Sequence, residues 1–156
     1  MKTEIIQIIT GTIGALGFSM LFNIKGKRLL AASFGGFLSW TAFILLGFAI
    51  HSEPLRYFLV SVMISLYAEL IARVLKTPTT TVLMAALVPL IPGASLYYTM
   101  AYALDSDFGK FATKAISTLK LAGALALGIV ITTMIMRAIY TTKTKLDKKE
   151  NEYGND

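Results

Sequence analysis

The chain has 156 residues, of which 55% are hydrophobic and 15% charged, and its mean hydropathy is +0.66. Soluble domains average about 45–50% apolar residues, so this composition indicates a membrane protein. The absence of cysteine excludes disulfides, thiol catalysis and cysteine metal sites. A pI near 9.6 is compatible with nucleic-acid binding, but the cations lie in short loops between apolar runs, so we interpret them as topology signals and expect no nucleic-acid partner.

Five apolar runs approach or exceed the length of about 20 residues that crosses a lipid bilayer as a helix. The predicted spans are, in chain order, 5–24, 29–50, 57–75, 78–104 and 111–136. The predicted fold class is therefore all-α, a polytopic membrane protein whose transmembrane domain covers residues 1–140. The remaining residues, 141–156, form a charged cytoplasmic tail, for which the composition predicts disorder beyond residue 146.

Lysine and arginine are distributed unevenly between the two sides of the predicted membrane domain. The first loop, the end of the third span with its loop, and the tail carry ten cations, whereas the opposite side carries four. Cytoplasmic loops are enriched in these residues. We therefore expect a multi-pass protein of the cell membrane with its N-terminus outside and its C-terminus in the cytoplasm.

The first span contains Gln7, a polar residue that we expect to bond to a neighbouring helix, and ends at Asn23, which is expected to cap its last carbonyls. Small residues four positions apart allow helices to approach closely in lipid. They occur in the first, second and fifth spans: Gly11, Ala15 and Ser19; Ala32 and Gly36; Ala124 and Gly128. Packing within the chain is the simpler interpretation, and a surface for a second subunit is the alternative.

The third span carries one polar stripe, because Tyr57, Ser61, Ser65, Glu69 and Arg73 follow one another at a spacing of four residues. Glu69 lies about 9 Å from the inner end of the span, where a charge is costly. Arg73, one turn further along, follows it in the favourable order for an ion pair. Two interpretations stay open. The pair is structural, or Glu69 couples protons and Arg73 binds a substrate carboxylate.

The fourth span begins with Thr77, which is suited to cap a helix, and Pro78, which fits the first helical position. In its middle, Pro89 and Pro92 lack the N–H group of a regular helix and predict an interruption.

If a half-helix restarts at Pro92, the N–H groups of Gly93, Ala94 and Ser95 are free at its positive end. Such an end binds carboxylates, and discontinuous helices of this kind form substrate sites near the midplane of transporters. The alternative is a simple proline kink whose carbonyls bond to neighbouring hydroxyls.

Signatures of catalysis are missing from the sequence. The single histidine, His51, lies in a predicted outer loop beside Glu53, and there is no second histidine or cysteine to complete a metal site. The stretch "GTIGALG" lies within an apolar span with no strand before it, so it does not predict a phosphate-binding loop. We therefore expect no enzymatic activity, no cofactor and no metal.

Three stretches together resemble the threonine/serine exporter family: "FNIKGKR" closes the first span, "KTPTTT" enters the fourth, and "VPLIPGASLYYTM" fills its middle. The resemblance covers residues 5–136 and is closest to the small five-span subunit of the split form of that family. It implies proton-driven export of threonine and serine together with a larger membrane subunit. The positions that match the family pattern are Asn23, Pro78, Pro89, Pro92 and Gly93. Glu69 and Arg73 match no motif of the family and depend on the physical argument alone.

Three functions are compatible with these features. The first is a subunit of a secondary exporter of small hydroxy amino acids, in which Pro89, Pro92, Gly93, Ala94, Ser95 and Arg73 bind a small carboxylate-bearing substrate. The second is export of small dicarboxylates, with which the resemblance also links some split pairs. The third is a non-transporting membrane scaffold for a partner, but a scaffold needs neither a broken midplane helix nor a buried carboxylate.

Overall fold

The computed structural model describes the backbone of residues 2–153 and the side chains of residues 2–142. Within that range the chain is helical and has no strand. The helices are α1 (Lys2–Leu21), α2 (Lys27–Ala49), α3 (Glu53–Val74), α4 (Thr79–Leu87), α5 (Gly93–Leu104) and α6 (Phe108–Tyr153), and a 3₁₀ turn (Val88–Leu90) follows α4.

Four of these helices, α1, α2, α3 and α6, are long and apolar enough to cross a membrane. The segments Thr79–Leu90 and Gly93–Leu104 meet this criterion together, and their axes are bent by 61°. The prediction of an all-α membrane protein with about five spans and an interrupted fourth helix is thus confirmed. The helices α2 and α3 begin at Lys27 and Glu53, a few residues before the predicted starts.

The helical backbone extends further than predicted at the C-terminal end. The backbone of residues 141–153 continues α6, and the disorder predicted from composition beyond residue 146 stays a prediction. No proline follows Pro92, and no glycine lies between Gly128 and Gly154, so no helix-breaking residue interrupts this segment. Lysine and glutamate, which are frequent here, are also good helix formers. The last three residues of the predicted tail, 154–156, lie outside the described residues.

The bundle is centred on α3 and α4. The helix α3 packs against α2, α4 and α6, while α4 also packs against α2. The fully buried core between them includes Val60, Ile64, Ala68, Val82, Ala86 and Leu90. The helix α1 packs on α2 and on the 3₁₀ turn. The helix α5 packs mainly on α6 and has no buried residue.

Several of the small residues serve to pack helices within the chain. A Cβ added at Gly36 would collide with the Cβ of Ala15, so α1 and α2 touch at these two residues. A Cβ added at Gly128 would collide with the hydroxyl of Ser61, where α6 crosses α3. These contacts support intrachain packing as the role of the stripes that contain Gly36 and Gly128.

Three helices end in the same way, with two backbone hydrogen bonds around a residue of positive φ. At the end of α1, Asn23 (φ 56°) donates its N–H to the carbonyl of Met20 at 2.9 Å, and Ile24 donates to Ser19 at 3.0 Å. This is a Schellman motif. The backbone of Asn23 therefore caps the carbonyls of α1. The helices α3 and α5 end in the same arrangement around Lys76 (φ 47°) and Ser106 (φ 56°).

The start of α4 differs from the prediction by one position. Pro78 is the N-cap residue rather than the first helical residue, and Thr77 makes no capping hydrogen bond. The reason lies at the end of α3, where Thr77 N–H donates to the carbonyl of Ala72 at 2.9 Å as part of the preceding Schellman motif. This motif leaves Thr77 one residue before the N-cap, and its hydroxyl is buried without a hydrogen-bond partner among the described residues.

Candidate functional site

The interruption of the fourth span is built by its two prolines. The helix α4 ends at Leu87, the 3₁₀ turn contains Pro89, and Ile91 adopts an extended conformation (φ −62°, ψ 124°). Pro92 is the N-cap of α5, which begins at Gly93. A proline has no N–H to donate, so both breaks in the hydrogen-bond ladder follow from the sequence.

The first turn of α5 partly matches the predicted anion site. The N–H of Gly93 is not free, because it donates to the carbonyl of Ile91 at 2.7 Å in a local turn. The first helical bond runs from Leu96 N–H to Pro92 O at 3.0 Å, so the N–H groups of Ala94 and Ser95 precede the helical ladder. Pro92 and Ser95 are half-buried while Gly93 and Ala94 are exposed, so within this chain the turn is open.

The segment before the break packs closely against its neighbours. Leu90 is fully buried, and Pro89 packs against glycines of the two neighbouring helices. A Cβ on Gly11 would lie 3.6 Å from Pro89 Cβ, and one on Gly36 would lie 3.8 Å from Pro89 Cγ. These glycines therefore give α1 and α2 close access to the interrupted helix.

A groove between α1 and α2 leads along the bundle to this break. It consists of two adjoining cavities of about 290 Å³ each, which share Gln7 and Trp40. The cavity beside the break is lined by Gln7, Thr10, Gly11, Trp40 and Pro89. The outer cavity is lined by Gln7 and Trp40 together with Glu4, Phe43, Gly47 and Arg56, among others. We refer to both cavities together as the α1–α2 groove.

Two hydrogen-bond donors in this groove have no acceptor among the described residues. They are Trp40 Nε1 and Arg56 Nε, and both atoms are buried. The Arg56 guanidinium lies over the ring of Phe43, with 4.9 Å between its Cζ and the ring centroid. Gly47 leaves the space for it, because a Cβ there would be 2.9 Å from Arg56 Nη1. Arg56 thus places a positive charge in the groove, and no ion pair with a described residue neutralises it.

Glu69 and Arg73 form the predicted ion pair near the other end of α3. Arg73 Nη2 donates to Glu69 Oε2 at 3.2 Å, and the two side chains are 32% and 11% exposed, respectively. The Arg73 guanidinium also stacks on the ring of Tyr140 from α6. We call Glu69, Arg73 and Tyr140 the Glu69 cluster. No contact recorded among the described residues joins this cluster to residues 89–95, so the structure does not unite the two predicted parts of the site.

The sequence did not predict the groove. In the sequence, Arg56 is only one of the cations that indicate the topology, and no pattern distinguishes Trp40. The one available signal was Gln7, which is polar in an apolar run, but the sequence does not show which helix it faces. No group of three or more acidic or histidine residues that could hold a metal occurs in the described part of the chain.

A comparison with protein families identifies one that spans most of this architecture. A family model described as "Threonine/Serine exporter, ThrE" matches residues 7–135. No curated protein and no solved structure matches the chain. The matched range includes the break, Trp40, Arg56, Glu69 and Arg73.

Proposed function

Because this chain belongs to the threonine/serine exporter family, we propose that it is a membrane subunit of a secondary exporter of threonine, serine and similar small hydroxy amino acids. The family points to a transporter rather than to an enzyme. We further propose that export is driven by protons, requires a larger partner subunit, and takes place in the cell membrane with the N-terminus of this chain outside.

The observation that carries this proposal is the interruption of the fourth span. Pro89 lies ten residues after Thr79, the start of α4, which places it about 15 Å along the span and near the middle of a hydrocarbon core of about 30 Å. Irregular backbone at this depth is tolerated where it faces protein or a water-filled cavity. The α1–α2 groove reaches Pro89, so the break lies beside a cavity that a small molecule can enter.

The proposed partner subunit is supported by the exposure of α5. Its first turn is open, and none of its residues is buried. Five spans also correspond to half of an inverted repeat, the arrangement that many secondary transporters use. A second membrane chain seated against α5 would enclose the N–H groups of Ala94 and Ser95 and complete a carboxylate site there.

The proposed coupling residue is Glu69. Among the buried side chains that the structure describes, it is the only charged one. A carboxylate in this position can exchange a proton if transport breaks its contact with Arg73. The ion pair itself supports a structural role equally well, and the variant Glu69→Gln separates the two roles.

The experiment that tests the proposed function is efflux of loaded substrate in the native host. We expect deletion of this gene to reduce efflux of threonine and serine. In wild-type cells, collapse of the proton gradient should reduce efflux to the level of the deletion strain. Efflux of loaded succinate serves as the control for the dicarboxylate alternative. Unchanged threonine efflux in the deletion strain would refute the proposal, while loss of succinate efflux alone would favour dicarboxylate export.

A further inference from the structure

We propose that the α1–α2 groove is the substrate passage of this subunit and that Arg56, at the mouth of the groove, binds the carboxylate of a zwitterionic amino acid at a site separate from the one proposed at Ala94 and Ser95. This inference rests on the proposed function and adds the substrate-contacting residues. The predicted site residues do not line the groove, apart from Pro89 at its inner end.

Two hydrogen-bond donors on residues that line the groove lack an acceptor among the described residues. A buried N–H without an acceptor is costly in a folded protein and calls for an explanation. The groove contains two such donors, Trp40 Nε1 and Arg56 Nε. Both atoms are buried, so a ligand in the groove would reach Arg56 through the outer nitrogens of its guanidinium. A guanidinium only donates hydrogen bonds, so such a ligand must bring acceptor oxygens.

The charged residues that line the groove indicate the charge of its ligand. The groove is lined by one cation, Arg56, and one acidic residue, Glu4. A groove with one cation suits a ligand with one carboxylate, which pairs with the guanidinium. A dicarboxylate would bring two negative charges to a groove that offers one cation, and it would also approach Glu4. The electrostatics of the groove therefore favour an amino acid over a dicarboxylate.

The volume of the two cavities and the position of their lining residues also suit a small substrate. Cavities of about 300 Å³ are at the small end of ligand sites, which suits a molecule of a few heavy atoms. Arg56 lies in the first turn of α3, so it marks the outer mouth of the groove, and Pro89 marks the inner end beside the break. Trp40 belongs to both cavities, so its side chain lies beside any molecule that moves between them.

The first test is efflux of threonine from cells with chromosomal variants, so that any partner stays at its native level. We expect Arg56→Gln to lower efflux at least tenfold at subsaturating internal threonine, and Arg56→Lys to retain part of it because the charge remains. The matched control is Lys114→Gln, which removes another half-buried cation from the first two turns of its helix and should leave efflux unchanged. Membrane levels of all variants are measured in parallel.

The second test uses Trp40, which is the only tryptophan of the chain, so its emission reports on the groove directly. The purified full-length chain in lipid nanodiscs is titrated with threonine and with threoninol, which lacks the carboxylate. We expect a saturable change in emission with threonine, no change with threoninol, and no change with threonine in Arg56→Gln.

The outcomes separate this inference from the proposed function. If gene deletion abolishes threonine efflux but Arg56→Gln exports normally, the exporter proposal stands and the assignment of Arg56 is overturned. An equal emission change with threoninol, or no change with threonine, also overturns it. If deletion leaves efflux unchanged, the exporter proposal is overturned and this inference falls with it.

Discussion

The molecule places an arginine on an aromatic ring in two regions, and the two regions differ in what else the arginine meets. In the Glu69 cluster, Arg73 stacks on Tyr140 and also bonds to a carboxylate of the same helix. In the α1–α2 groove, Arg56 stacks on Phe43 but has no ion pair among the described residues. A charge that is neutralised within the chain is explained by the fold. A half-buried charge without a partner calls for a ligand from outside the chain.

The largest effect on stability is expected from Glu69→Gln. Removing one member of a buried ion pair leaves the other charge uncompensated, which costs about 3–5 kcal/mol in the free energy of unfolding. The partial exposure of Arg73 places our expectation at the lower end, about 3 kcal/mol. Thermal unfolding in nanodiscs measures the loss, and the double variant Glu69→Gln/Arg73→Met should recover most of it because no charge is then left unpaired.

The same variant decides between the two roles of Glu69. If Glu69 couples protons, the abundance of Glu69→Gln in the membrane stays normal, while threonine efflux no longer responds to the proton gradient. Normal abundance together with normal gradient-driven efflux would rule out the coupling role.

A smaller loss is expected when the contact between α1 and α2 is overpacked. Gly36→Ala puts a methyl group onto Ala15, and overpacking of this kind costs about 1–3 kcal/mol. Because the same contact sets the separation of α1 and α2, we also expect lower threonine efflux. The control is Gly14→Ala, where a Cβ meets no atom within 4 Å. Equal melting temperatures for the two variants would contradict the close contact between the helices.

A third charged pair lies on the surface and serves as the example of a weakly stabilising ion pair. Asp107 Oδ2 lies 2.8 Å from Lys110 Nζ, and its Oδ1 accepts the N–H of Lys110 at 3.1 Å. The hydrogen bonds from the Lys110 side chain and backbone lower the pKa of Asp107. Because the pKa of Asp107 is lower in the folded than in the unfolded protein, its ionised carboxylate stabilises the fold at pH values above the unfolded-state pKa of 3.8. This stabilisation is lost as the pH falls through the folded-state pKa.

We therefore expect Asp107→Asn to reduce the melting temperature slightly at neutral pH, with a difference that disappears well below pH 3.8. Melting curves of the variant and the wild type across this pH range provide the measurement. A difference that grows in acid would contradict the assignment of the stabilising form to the carboxylate.

The smallest effect on stability is expected from Arg56→Gln, the variant with the largest expected effect on efflux. Its Nε has no acceptor to lose, so the free energy of unfolding should change by less than about 1 kcal/mol. The measurement is the same thermal unfolding assay. A loss as large as that of Glu69→Gln would show that Arg56 has a structural partner and would remove the contrast between the two regions.

Features set by neighbouring residues in the sequence were predictable. Pro89 and Pro92 interrupt the fourth span wherever it packs, and Glu69 meets Arg73 because residues four apart share a helix face. The groove depends instead on contacts between helices, such as Arg56 with Gly47 and Trp40 with Gly11. A sequence pattern shows which face of a helix is polar but not which helix it meets. Thr77 shows a third case, in which the motif that ends α3 competes with the cap of α4.

The 61° bend in the fourth span also determines how much of the bilayer this part of the chain fills. Each arm has 12 residues, so each is about 18 Å long and too short to cross a hydrocarbon core of about 30 Å alone. With α4 along the membrane normal, α5 advances about 9 Å further, and Ile91 and Pro92 between the arms add to this extent. Because the turn is less than a right angle, α5 continues toward the opposite face instead of returning. The two arms together therefore span close to the thickness of the hydrocarbon core, although neither does so alone. The proposed partner subunit that covers α5 must accordingly fit a bent span rather than a straight helix.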